Sequence, residues 1–189
     1  MNRTSRVFVA IALASSTLAG TAVMANHHKM SNPTVGGAAM APAKTIVENA
    51  SAAPNLTTLV AAVKAAGLVD TLASPGPFTV FAPTNTAFEK LPAGTVGTLV
   101  KPENKATLTK ILTYHVVAGK LTSTDIVGAI KNGGGSATLT TVAGDKLTAR
   151  LSGNSVVITD GKGGQSAVTT VDVMQSNGVV HVIDSVLVP

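Results

Sequence analysis

The last thirteen residues, Asn177 to Pro189, read NGVVHVIDSVLVP and bring a histidine, an aspartate and a serine into one β-branched run. A serine, a histidine and a carboxylate are the parts of a nucleophile, its base and the group that orients the base. Spacing argues against that use here. Side chains alternate faces along a strand, so His181 and Asp184 point to opposite sides, and His181 and Ser185 share a side about 13 Å apart. Val180, Val182, Val186 and Val188 fall on one face and Val179, Ile183 and Leu187 on the other, the composition of a strand covered on both sides. The segment reads as a closing core strand whose polar groups are hydrogen-bonded.

A second chemical candidate stands near the start. Residues 1–25 place Arg3 and Arg6 ahead of an apolar run and end with Val23 and Ala25 at the spacing of a signal-peptidase site, so they read as a cleaved export signal. Ser15, Ser16, Thr17, Gly20 and Thr21 weaken the run as a membrane anchor, and no membrane insertion is expected after cleavage. Cleavage after Ala25 would start the mature chain at Asn26, His27, His28. A free amine, two amide nitrogens and a third-position imidazole then surround one square-planar ion, which suits Cu(II) or Ni(II). The competing reading is a solvated polar tail. Residues 26–43 show neither a helical nor a strand period and read as a disordered linker.

Composition narrows the remaining classes. Apolar residues make up 45% of the chain but aromatics only 3%, so the core must be aliphatic. With no cysteine, packing alone must stabilise an exported fold. The formal charge of +5 falls to +3 once Arg3 and Arg6 leave, and the remaining lysines form no stripe, which argues against a nucleic-acid partner. There is no G-x-S-x-G elbow, Walker loop or G-x-G-x-x-G, and GKGG at Gly161–Gly164 lies between strands rather than before a helix. No enzyme and no cofactor is expected.

The elements that must position any site follow from periodicity. Leu56, Leu59, Val60 and Val63 lie on one helix face, and Gly67 is placed to end the helix. FTVFAP at Phe78–Pro83 is a short apolar strand, after which Thr86 and Glu89 have capping-box spacing for a second helix. Pro102 opens a third helix with Leu108, Ile111 and Leu112 in one stripe that His115 extends. Beyond Gly133 the period becomes alternating: Lys146, Thr148 and Arg150 form a wet face and Leu147, Ala149 and Leu151 a dry one. Turn signals at Ser152–Asn154 and Asp160–Gly161 separate strands of an antiparallel meander. Helices early and strands late give an α+β domain over 44–189.

Three ordered segments, FTVFAPTNTAFEKLP at Phe78–Pro92, ILTYHVVAGKL at Ile111–Leu121 and the closing NGVVHVIDSVLVP, resemble the signatures of the fasciclin domain. TIVENA and the LVAAVKAAGLVDTL helix fit the same pattern. The family often has phenylalanine at the position of Leu56, which implies local repacking. The resemblance implies a wedge of mostly antiparallel β-strands flanked by several short helices, in a monomeric secreted or periplasmic protein. It further implies a cell-surface or matrix macromolecule, protein or polysaccharide, as partner, with a role in adhesion.

The resemblance also nominates binding residues. Tyr114 and His115 match a tyrosine–histidine pair that related domains use in receptor binding, and Asp172 with Val173 matches an aspartate–isoleucine adhesion motif. Against this, His115 continues an apolar stripe, and the favoured reading of the pair is a hydrogen-bonded core histidine beside a packed tyrosine. Asp172, between Val171 and Val173 on an alternating strand, is expected to face water. The alternative function is periplasmic copper or nickel binding through Asn26, His27 and His28.

Overall fold

The computed structural model describes residues 32–189. The export signal and Asn26, His27 and His28 lie outside the described residues. Helix α1 (Ile46–Ala52) starts at a capping box: the Thr45 hydroxyl accepts the Glu48 N–H, and the Glu48 carboxylate accepts the Thr45 N–H at 2.7 Å. Helix α2 (Thr57–Ala66) turns Leu59, Ala62, Val63 and Ala66 inward and ends at Gly67, whose φ of 72° is the left-handed cap that a side chain would strain. Leu56, just before it, is core.

Helix α3 (Val69–Ala73) leads to strand β3 (Phe78–Pro83), then helices α4 (Asn85–Glu89), α5 (Thr95–Leu99) and α6 (Lys105–Tyr114). The cap of α4 is Thr84, which accepts the Ala87 N–H at 3.2 Å, two residues before the expected Thr86. Strand β3 runs straight into the helix, so the hydroxyl nearest the strand end takes the cap. Strand β4 (Val116–Ala118) and helix α7 (Ser123–Asn132) follow, the latter opened by a Thr122–Asp125 capping box.

Strands β5 (Ser136–Thr140), β6 (Lys146–Ser152), β7 (Ser155–Thr159), β8 (Gln165–Gln175) and β9 (Gly178–Ile183) form the expected meander. With β3 and β4 they make one sheet in the order β4-β3-β9-β8-β7-β6-β5. The sheet is mixed, because β9 inserts beside β3 in parallel. Every residue of β9 is buried, as a strand with two paired neighbours and two covered faces requires. The outer strands also meet, through a Val117–Thr141 bridge and a 2.7 Å bond from the Val142 N–H to the Val116 carbonyl, so the sheet curls back on itself.

Alternation along the strands divides the core in two. Val80, Ala82, Val180 and Val182 pack with Leu59, Val63, Leu108 and Leu112 on the side of α2 and α6. Phe81 and Ile183 pack inside the curl with Ile126, Ile130, Leu147 and Ile158, which α7 covers.

The linker assignment over 26–43 is corrected for residues 32–43. A hairpin of two-residue strands, β1 (Thr34–Val35) and β2 (Ala38–Ala39), turns on Gly36 and Gly37, both at positive φ. Val35 and Met40 are core residues. The Asn49 amide accepts from the Ala41 N–H and donates to the Ala41 carbonyl, at 3.0 and 2.8 Å. Asn32 makes the same paired contact with Met174. Two-residue strands are too short to give a period, so only tertiary contacts reveal them.

Candidate functional site

Tyr114 and His115 sit at the end of α6, where the chain turns into β4. Both are buried, at 1% and 2% exposure. The Tyr114 hydroxyl accepts the Gly161 N–H at 2.9 Å and donates to the Lys146 carbonyl at 3.3 Å, tying α6 to the β7–β8 turn and to β6. His115 Nδ1 lies 2.8 Å from the Ile111 carbonyl, and Nε2 accepts the Leu187 N–H at 2.9 Å. A carbonyl only accepts, so the proton is on Nδ1 and the ring is neutral. Burial pushes its pKa down to about 4, outweighing the opposing pull of the Ile111 carbonyl and the Asp160 charge.

Asp160 completes this anchor for the chain end. One carboxylate oxygen accepts the Val188 N–H at 3.0 Å, and the other accepts from Lys162 and Gly164 in its own turn. His115 and Asp160 thus hold consecutive amides of the last segment.

Asp172 lies elsewhere. Strand β8 slips register twice, and Asp172 occupies the second irregularity at a φ of 56°, a conformation that aspartate tolerates better than most side chains. The slip turns its carboxylate toward α7, where Ser123 donates its N–H at 2.6 Å and its hydroxyl to the two oxygens. The expectation that Asp172 faces water is therefore corrected in part: a bulge breaks the alternation on which it rested and leaves the side chain half-buried against α7. Val173 is 1% exposed and packs in the core with Val180. A partner cannot touch it in this fold.

His181 stacks on Phe81, with ring centroids 5.7 Å apart, and joins the β4–α7 loop to the bulge of β8. Its Nε2 donates to the Leu121 carbonyl at 2.9 Å, and Nδ1 accepts the Asp172 N–H at 3.4 Å. Burial lowers its pKa as well. Ser123, Asp172 and His181 thus come together, a grouping that the sequence spacing of 9 and 49 residues conceals. Their connectivity is structural: the serine hydroxyl is given to the carboxylate, and both imidazole nitrogens are taken by backbone.

The family model of the Fasciclin domain matches residues 54–189. The chain belongs to the fasciclin domain family. Among curated relatives, protein sll1483 of Synechocystis is 48% identical over 155 residues, covering 82% of this chain and 79% of that protein. The cell surface glycolipoprotein MPB83 of Mycobacterium bovis is 36% identical over 167 residues, covering 84% and 67% respectively. A solved FAS1 domain pair from the insect cell adhesion molecule Fasciclin I superposes with a TM-score of 0.68 at 24% identity, covering 77% of this chain and 51% of that one. That likeness establishes the fold.

The fasciclin domain leaves one broad face open. Thr138, Thr148 and Thr159 are direct cross-strand partners on β5, β6 and β7, and the adjacent row is Ser136, Arg150, Val157 and Ala167. Lys146 pairs with Thr140 on the same face. All are exposed or half-buried, opposite the dry face of Leu139, Leu147, Ala149 and Ile158. The alternation at Lys146, Thr148 and Arg150 marks this wet face in the sequence; its register with Thr138 and Thr159 becomes visible only through strand pairing. Among the described residues, no helix is long and apolar enough to cross a membrane.

Proposed function

We propose that this protein is an exported, non-enzymatic interaction module that holds an acidic cell-surface or matrix macromolecule on the open face of β5–β7 and so contributes to adhesion. The observation that carries the reading is the exposed to half-buried threonine row flanked by Lys146 and Arg150, a face with hydroxyls and cations and, among the described residues, no helix over it. Threonine hydroxyls donate and accept, and paired strands hold them at a fixed spacing of about 5 Å, which suits a repeating polar polymer. Likeness to a relative named as a cell surface protein supports the location. The internal use of Tyr114, His115, Asp172 and Val173 supports giving them duty in the fold and leaving contact to the sheet face.

The test is capture of partners from envelope and culture-medium extracts on immobilised protein, with identification by mass spectrometry and glycan analysis. An Arg150→Glu, Lys146→Glu variant should release whatever the parent protein retains. Equal retention by parent and variant would remove the sheet face from the proposal.

A further inference from the structure

A mainly apolar cavity of about 120 Å³, partly open to solvent, lies between the α4–α5 segment, α6 and the chain end. Phe88, Leu91, Leu99, Leu108, Val186 and Val188 make most of its wall. Among the described residues, no charged side chain lines it. His115 reaches it, but both ring nitrogens are committed to Ile111 and Leu187, so it presents only carbon edges. Among the described residues, Thr95 carries the one hydroxyl of the lining.

Such a space holds water poorly, because a buried water needs two to four polar partners. A hydrocarbon-lined cavity of about 150 Å³ stays dry and accepts benzene or xenon. The present cavity is close to that size and has the same chemistry. A charged or strongly polar guest would lose its hydration with nothing to replace it.

One wall is suited to admit a guest. Helix α5 contains no buried residue, and Gly94, at a φ of 81°, heads it. Segments with few buried apolar contacts open locally at low cost, well before the rest of a domain unfolds. The opposite wall, α6, is anchored by buried Leu108, Ile111 and Leu112.

We propose that this cavity is a binding site for a small uncharged hydrocarbon guest, of the size of a single aromatic ring, which enters by displacement of α5. The site is independent of the sheet face and of any macromolecular partner.

Toluene is the probe. Titrated into isotopically labelled protein, it should produce saturable single-site shifts confined to Phe88, Leu91, Leu99, Leu108 and Val186, and should raise the thermal midpoint with its concentration. Leu108→Phe and Leu99→Phe both place a ring into the cavity. Each should keep cooperative unfolding and weaken toluene binding by at least about tenfold. Leu99 is only half-buried, so that variant preserves the readout if Leu108→Phe fails to fold. Non-saturating shifts spread over the surface, or unchanged toluene affinity in Leu99→Phe, would overturn the assignment.

Discussion

The carboxylate of Asp172 closes on the first residue of α7, accepting both the backbone N–H and the hydroxyl of Ser123. This contact joins the bulge of β8 to the helix that covers the inner core, and it places a negative charge at the positive end of that helix. Asp172→Ala should therefore cost about 1 to 2 kcal/mol, the scale of a lost helix-terminal cap. Asp172→Val should cost more, since a β-branched residue resists the left-handed conformation at this position. Denaturant titration of both variants checks the order; equal stability of Asp172→Ala and the parent protein would sink the latch.

Acid should loosen the domain through its histidines. His115 has a folded pKa of about 4, below the ordinary value of 6.5, so the unfolded chain binds more protons between those limits. Its contribution is complete above about pH 6.5 and is lost as pH falls toward 4, on the order of 3 kcal/mol in all. His181 acts in the same direction. Protonation of His115 also removes the acceptor for the Leu187 N–H, so the chain end should detach first. Midpoints measured from pH 7.5 to 4 should fall steeply in the parent protein and less steeply in His115→Ala. Parallel curves would show that this histidine does not carry the acid sensitivity.

Asn177 joins three elements in one side chain. Its amide accepts the Ile46 N–H at 3.1 Å and donates to the carbonyls of Leu72 and Ser74 at 2.7 and 3.0 Å. Asn177→Ala leaves those backbone groups without partners, at a cost of roughly 2 to 5 kcal/mol. A thermal midpoint lowered by roughly 5 to 15 °C is expected, and no change would mean that water replaces the side chain.

The boundary of the folded unit can be tested by truncation. A chain starting at Lys44 loses Val35 and Met40 from the core and leaves the Asn49 amide without Ala41. Burial of two such side chains is worth roughly 1.5 to 3 kcal/mol each. A chain starting at Asn32 should unfold at clearly higher temperature than one starting at Lys44; coincident transitions would return the hairpin to linker status.

What the sequence disclosed, and what it hid, follows from the range of each signal. The α6 stripe of Leu108, Ile111 and Leu112 and the meander after Gly133 are local periodicities and are found, except that Leu151, expected on the dry face with Leu147 and Ala149, is 38% exposed at the end of β6. The closing strand is legible over Gly178–Ile183 because both of its faces are aliphatic, but the expected continuation to Pro189 is corrected: residues 184–189 leave the sheet, and Val186 and Val188 are only half-buried. The parallel pairing of β9 with β3 joins residues 100 apart and has no local signature. Asp172 misled because alternation presumes an unbroken register, and the bulge that turns it inward is held by Ser123 and His181 from distant segments. Asn32 sits in an aperiodic stretch and Asn49 in a short helix, and their pairing with Met174 and Ala41 exists only once the sheet and α1 are assembled.

On this reading, recognition belongs to the open face of β5–β7, and Tyr114, His115 and Asp172 hold the fold. The most direct measurement pairs attachment to cells or matrix with thermal midpoint in two sets of variants. Arg150→Glu with Lys146→Glu, or Thr148→Glu, should abolish attachment and leave the midpoint within about 2 °C of the parent, as surface substitutions do. Tyr114→Phe and His115→Ala should lower the midpoint yet attach normally at temperatures where they remain folded. Attachment lost in Tyr114→Phe or His115→Ala at an unchanged midpoint, with full attachment in the sheet-face variants, would move recognition from the sheet face to the end of α6.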